Sequence, residues 1–87
     1  MTQIAFHRDF LKSAKQLPKF QQVKLSQLLE RMQENPFHPL LHTKRLTGEI
    51  SGLLSFRITR DWRVIFQFIH TDKIQLLRVK HRKDVYR

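Results

Sequence analysis

The stretch LSFRITRDWRVIF at residues 54–66 decides the fold. On both sides of a polar break at residues 59–61, apolar residues alternate with polar ones, which is the two-residue period of a β-strand. A three-residue loop at the break pairs Ile58 with Trp62 and keeps the apolar faces of the two strands together. A two-residue turn would set polar side chains against apolar ones. The stretch therefore predicts two adjacent antiparallel strands.

A third strand, from Ile74 to Lys80, follows a turn-like segment at residues 70–73. We expect a four-residue loop at that segment, because it continues the apolar face across all three strands. The first two strands then pair Phe56 with Val64 and Arg57 with Arg63, and the second and third pair Ile69 with Ile74, Phe66 with Leu77, Val64 with Val79 and Arg63 with Lys80.

This register lines up three cations, Arg57, Arg63 and Lys80, across three strands. Like charges directly opposite one another destabilise a sheet, so folding alone does not explain the row. One interpretation is a solvated face with scattered basic residues. The alternative, which the alignment favours, is a phosphate-binding site, because arginine presents a planar fork that matches two phosphate oxygens.

Upstream of the strands, the sequence predicts a short strand at residues 3–6 and a helix from about His7 to Gln16. Pro18 interrupts that helix and suits the start of a second one, which ends at Asn35-Pro36. Residues 35–52 lack a clear period and are expected to be irregular, with room for a short strand. The prediction is an α+β fold with a helical hairpin on one face of a small antiparallel sheet.

Composition limits the function. The 87 residues contain 17 Lys and Arg against 7 Asp and Glu, a formal net charge of +10, which points to a polyanionic partner. There is no cysteine, so disulfides and thiolate sites are excluded and the reducing cytoplasm is the expected location. No apolar run is long enough to span a membrane, and the N-terminus does not resemble a signal peptide. We expect one domain over residues 1–87 and no membrane association.

Two residues near the cationic row are candidates for proton transfer, His81 and Tyr86. An imidazole exchanges protons near neutral pH, and a phenol can serve as a general acid or base. The alternative is structural, with His81 capping the strand and Tyr86 packing its ring. Sequence spacing leaves both interpretations open.

Other patterns carry less chemistry. His38 and His42 have a zinc-like spacing, but Pro36 and Pro39 interrupt any helix there and a third ligand is missing. Trp62 belongs to the apolar alternation and is expected in the core rather than stacked on a base. Because no carboxylate pair, glycine-rich phosphate loop or acyl-transfer triad is present, the sequence favours metal-free phosphodiester chemistry without a cofactor.

In combination, residues 10–12, 46–48, 54–66 and 81–86 resemble the RelE/ParE superfamily of bacterial type II toxin–antitoxin systems. The most specific parts are the segment from Phe56 to Phe66 and the terminal HRKDVY. The resemblance implies a β-α-α-β-β-β toxin that a cognate antitoxin wraps and neutralises. It also implies, for RelE-like members, ribosome-dependent cleavage of mRNA in the A site by 2′-hydroxyl attack, without metal.

Residue by residue, the resemblance implies catalytic roles for Arg57, Arg63, Arg82 and Tyr86. Ser55 departs from the pattern, since RelE-like enzymes commonly have a second basic residue there, and His81 is a candidate to compensate. The remaining cations near these positions are the predicted RNA-binding residues: Lys44, Arg45, Arg78, Lys80 and Lys83.

Three functions stay open on the sequence alone. The first is a ribosome-dependent endoribonuclease toxin that acts on mRNA, and the second is a ParE-like gyrase inhibitor without nuclease activity. The third is a nucleic-acid-binding module without toxicity. The joint presence of the arginines with His81 and Tyr86 favours the endoribonuclease.

Overall fold

The computed structural model describes residues 1–86. The strands and helices are β1 (Gln3–Phe6), α1 (Arg8–Lys15), α2 (Lys19–Glu34), β2 (Lys44–Arg45), β3 (Leu54–Arg57), β4 (Trp62–His70) and β5 (Lys73–His81). Three single 3₁₀ turns lie at Pro39–Leu41, Gly48–Ile50 and Arg82–Asp84. The expected domain also includes Arg87, which lies outside the described residues. Within the described part of the chain, none of the helices has the length and apolarity to cross a bilayer.

The strands form one five-stranded sheet in the order β1-β5-β4-β3-β2. The pairs β2–β3, β3–β4 and β4–β5 are antiparallel, as expected, whereas β1 lies parallel to β5. The prediction of an antiparallel sheet is therefore corrected at this edge. A hairpin connects β4 to β5 and fixes their direction, but most of the chain separates β1 from β5, so no tight turn constrains that pair.

Both predicted helices are confirmed, each one residue shorter at either end. His7 is the N-cap of α1, and its Nδ1 atom accepts the backbone N–H of Asp9 at 3.0 Å. Pro18 precedes α2, where its fixed φ suits a helix start, and the helix ends before Asn35. The hairpin packs on one face of the sheet.

The main core lies between the hairpin and the sheet. Met32 of α2 and Phe56, Phe66 and Leu76 of the sheet are fully buried there. Trp62 is partly buried and packs against this core, as its place in the alternation predicts.

The predicted register is confirmed at the end of the sheet that carries the cations. Phe56 pairs with Val64 and Arg57 with Arg63, while Val64 pairs with Val79 and Arg63 with Lys80.

At the other end of the β4–β5 hairpin, two predicted pairs are wrong. His70 pairs with Lys73, so the turn has two residues instead of four, and Phe66 faces Leu76 instead of Leu77. Ile74 likewise faces Phe68 and not Ile69. Two irregularities in the ladder offset each other, and they let Ile74 and Leu76 remain fully buried.

A second, smaller apolar cluster covers part of the sheet face opposite the hairpin. It consists of Leu46, Ile65 and Val85, with Ile50, Leu53 and Leu77 packed against it. The segment between α2 and β3 and the turn after β5 thus both fold onto this face. The apolar contacts of Leu46 and Val85 with Ile65 hold these two segments against the sheet, next to the cationic row.

Candidate active site

A cleft of about 190 Å³ opens on the cationic face of the sheet. Strands β3 and β4 form its floor, and the segments before β2 and after β5 form its walls. Its lining residues are His42, Lys44, Leu46, Ser55, Arg57, Arg63, Arg82, Val85 and Tyr86.

Arg63 lines this cleft, directly opposite Arg57 on the neighbouring strand. Its Nη1 atom donates a hydrogen bond to the carbonyl oxygen of Thr59 at 3.1 Å. Partial burial lowers the pKa of the Arg63 guanidinium, the positive charges of Arg57 and Arg82 lower it further, and Asp61 acts in the opposite direction. The folded chain therefore holds Arg63 charged in surroundings that oppose the charge, and an anion in the cleft would relieve this.

Arg82 reaches the cleft from the turn that follows β5. Its backbone N–H donates to the carbonyl oxygen of Asp61 at 2.8 Å, and its Nε atom lies 3.4 Å from Asp61 Oδ1. The two contacts fasten the Arg82–Asp84 turn to the β3–β4 loop. They bring a third arginine to the cleft that strand pairing alone would not.

Tyr86 lines the cleft at its edge, with 55% of its surface exposed. The preceding residue, Val85, is buried in the small cluster with Leu46 and Ile65 and so anchors the chain there. Tyr86 is consequently held at the cleft with about half of its surface open to solvent.

His81 is placed differently from Tyr86. It pairs with Trp62 across β4 and β5, and the two rings meet edge to face with centroids 5.2 Å apart. Its Nδ1 atom accepts the backbone N–H of Lys83 at 3.2 Å, which caps the following turn. Because neighbouring strand residues face opposite sides, His81 lies on the Trp62 side of the sheet, away from Arg63 and Lys80.

Of the five predicted RNA-binding cations, only Lys44 lines the cleft. The Arg45 guanidinium lies over the Phe37 ring, 5.8 Å from its centroid. The Nη2 atom of Arg78 lies 3.8 Å from Asp9 Oδ2. Lys80 donates from Nζ to the carbonyl oxygen of Asp84 at 3.3 Å, and Lys83 is exposed on the last turn. Thus Lys80 completes the cationic row in register but supports the terminal turn.

The departure at Ser55 has a structural counterpart. Ser55 is 5% exposed and pairs with Lys44 of the adjacent strand, so a lysine lies beside the position that lacks a basic residue. Lys44 is one of the predicted RNA-binding residues, but its pairing with Ser55 cannot be read from the sequence, because β2 has only two residues and therefore no detectable period.

His42 is a cleft residue that the sequence analysis considered only for zinc. It follows the Pro39–Leu41 turn with φ 50°, a left-handed backbone that is uncommon outside glycine. The chain turns at this residue, which lines the cleft, and sequence spacing gives no signal for that turn. Across residues 1–86, no group of three or more His, Cys, Asp or Glu side chains is arranged to hold a metal ion.

These groups together suit a phosphodiester. Within the described part of the chain, three guanidinium groups and one ammonium group of the cleft can bind phosphate oxygens, and the Tyr86 hydroxyl group in the same lining is a proton donor or acceptor.

A family model described as "ParE toxin of type II toxin-antitoxin system, parDE" matches residues 4–86. The chain belongs to this family of toxins. It is a member of the RelE/ParE superfamily, as its sequence motifs indicate. No curated protein matches the toxin's sequence.

Solved structures with the same fold come from bacteria and archaea. YafQ from E. coli strain BL21(DE3) is 18% identical to the toxin with a TM-score of 0.78, each chain being covered completely. The archaeal RelE–RelB complex from Pyrococcus horikoshii gives 22% identity and a TM-score of 0.78, covering 95% of the toxin and 97% of that chain. The YoeB/ParE toxin from Agrobacterium tumefaciens is 15% identical with a TM-score of 0.77, and the alignment covers 92% of the toxin and 98% of that chain. At these identities the likeness establishes the α+β fold of the toxin.

Proposed function

We propose that this toxin is a metal-independent, ribosome-dependent endoribonuclease that cleaves mRNA. The observation that carries the proposal is the convergence of Arg57, Arg63 and Arg82 with Tyr86 on one cleft. The motif resemblance to RelE-like enzymes supports the same conclusion. Its expected partners are a cognate antitoxin, the ribosome and mRNA.

In the proposed reaction, the 2′-hydroxyl oxygen attacks the adjacent phosphorus and the bond from phosphorus to the 5′-oxygen breaks. The 2′-hydroxyl group loses its proton to a base, and the departing 5′-oxygen takes up a proton. The products are a 2′,3′-cyclic phosphate and a 5′-hydroxyl end. Negative charge grows on the phosphate oxygens in the transition state, where fixed guanidinium groups stabilise it.

Tyr86 is the proposed proton-transfer residue of this reaction. It lines the same cleft as Arg63, while His81 is turned toward Trp62. Arg57 and Arg63 would bind the non-bridging oxygens, and Arg82, held by Asp61, would complete the charge around the phosphate.

The second candidate function is a ParE-like DNA gyrase inhibitor without nuclease activity. The ParE description of the matching family favours it. Such an inhibitor does not require a phosphate site next to a tyrosine, and fold does not separate the two activities.

An induction experiment distinguishes these candidates. We expect incorporation of labelled methionine to stop before incorporation of labelled thymidine, and transcripts to acquire new 5′ ends inside coding regions. Continued translation with accumulating DNA breaks would favour the gyrase inhibitor.

A further inference from the structure

A second depression, of about 580 Å³, lies between α2, the Pro39–Leu41 turn and the end of β3. We call it the helix groove. None of the predicted catalytic residues except Arg57 lies in it.

The helix groove combines positive charge with an apolar surface. Among residues 1–86, it is lined by one carboxylate, that of Glu30, and by four cations: Lys24, Arg31, Arg57 and Arg60. Arg31 also reaches Glu34 at 4.0 Å, so the other three cations are the main candidates for a ligand. Leu28 and Ile58 are buried beneath the surface, and Leu40 is exposed. Proteins that hold single-stranded nucleic acid follow its backbone with a cationic groove of this kind, and here an exposed leucine takes the place of the aromatic side chains on which the bases usually stack.

The helix groove adjoins the active-site cleft. Arg57 and His42 line both. The Nε atom of Arg57 is buried and has no hydrogen-bond partner among residues 1–86. A buried donor of this kind is costly unless a ligand or water accepts from it, so Arg57 is suited to bind a phosphate at the junction of the two depressions.

We propose that the helix groove binds a nucleotide next to the scissile phosphate, with the base against the exposed Leu40 and the backbone on Lys24 and Arg60. This inference rests on the proposed nuclease function. The size of the groove is in the range of small-molecule sites and accommodates one nucleotide. The shared Arg57 favours RNA over an acidic peptide, because a strand whose phosphate is bound at Arg57 has its next nucleotide beside the groove.

The test measures binding of a labelled tetraribonucleotide with 2′-methoxy groups, which cannot be cleaved, by fluorescence anisotropy. The Lys24→Gln/Arg60→Gln variant removes two groove cations. The control variant, Lys12→Gln/Lys19→Gln, removes two exposed cations outside the groove. We expect the groove variant to bind about tenfold more weakly, with the slope of log affinity against log salt shallower by about 1.4, and the control to change less than twofold.

Three results would overturn the inference: equal losses in both variants, no loss in either, or displacement of the oligonucleotide by hexaglutamate at equal concentration. The last would make the groove a site for acidic peptide. Cleavage of ribosome-bound mRNA by the wild-type toxin is measured separately. If the wild-type toxin cleaves mRNA but the groove variant binds the oligonucleotide as tightly as wild type, the proposed groove site is wrong and the nuclease function stands. If the wild-type toxin does not cleave, the nuclease function is wrong.

Discussion

Trp62 and His81 form a directly opposed cross-strand pair whose rings meet edge to face at 5.2 Å. This contact turns the His81 imidazole away from Arg63 and leaves Tyr86 as the proton-transfer candidate that lines the cleft. Sequence spacing left His81 and Tyr86 as equal candidates for proton transfer. The alternation of side chains along β5 now distinguishes them, because it places His81 on the Trp62 side of the sheet.

Tyr86→Phe keeps the ring and removes the hydroxyl group. We expect stability to be unchanged and single-turnover cleavage to fall about 10²–10⁴-fold, the contribution of general acid–base catalysis. His81→Gln should reduce cleavage much less, and its main effect should be a lower melting temperature, because the contact with Trp62 is lost. A larger cleavage defect in His81→Gln than in Tyr86→Phe would reverse the assignment.

Arg63→Gln tests whether Arg63 is present for function rather than folding. The pKa of Arg63 is lowered in the folded state, so its charged form is disfavoured by folding. For a base, that penalty is fully present below the folded pKa and is lost only as the pH rises above it. At pH 6–8 we therefore expect the melting temperature of Arg63→Gln to equal or exceed that of wild type, although one hydrogen bond to Thr59 is lost.

An anion bound at Arg63 should raise the melting temperature of the wild-type toxin, because it offsets the unfavourable surroundings of the Arg63 charge. Sulfate that binds at Arg63 stabilises the folded state, so the melting temperature should rise more in wild type than in Arg63→Gln at equal ionic strength. Arg8→Gln, which removes an exposed cation outside the cleft, should respond like wild type. Equal shifts in all three proteins would show that sulfate does not bind at Arg63.

Lys44 and Arg45 are adjacent in sequence but differ in position. Lys44 lines the cleft, whereas Arg45 lies over Phe37. We expect Lys44→Gln to weaken binding of the blocked oligonucleotide severalfold and to reduce the salt dependence, and Arg45→Gln to change affinity less than twofold. An equal effect of the two substitutions would mean that only net charge matters.

Ser13 joins the helical hairpin to the sheet. Its hydroxyl group accepts the Val79 N–H at 2.8 Å and donates to the carbonyl oxygen of Asp9 at 2.8 Å. Ser13→Ala leaves the Val79 N–H without this partner, and we expect it to lower the free energy of unfolding by about 1–3 kcal/mol. Ser26→Ala is the control, because Ser26 only bonds back to its own exposed helix at Val23 and alanine favours helices. Equal melting temperatures for the two variants would contradict this role of Ser13.

Alternation along strands is the part of the site that can be predicted from the sequence. It places Arg57 opposite Arg63 and Arg63 opposite Lys80, since one shifted residue would expose the buried face. The same register puts His81 opposite Trp62, so the position of that imidazole also follows from it.

The remaining features depend on contacts without a period. Asp61 fastens Arg82 at the cleft, and the left-handed backbone at His42 brings that residue between the cleft and the helix groove. The irregularities in the β4–β5 ladder arise because Ile74 and Leu76 remain buried, a tertiary effect that a regular alternation cannot show. Local pattern therefore predicts the antiparallel part of the sheet and the cationic row, while the parallel edge strand and the residues around the site depend on the folded chain.

The most direct test of the nuclease function uses purified toxin, ribosomes programmed with a defined mRNA, and analysis of the product ends. We expect cleavage within the coding region on the ribosome, with 2′,3′-cyclic phosphate and 5′-hydroxyl ends. Cleavage should be lost in Arg63→Gln, and the same mRNA should stay intact without ribosomes. Intact mRNA in all reactions, together with trapped gyrase–DNA cleavage complexes when the toxin is added to gyrase, would contradict it.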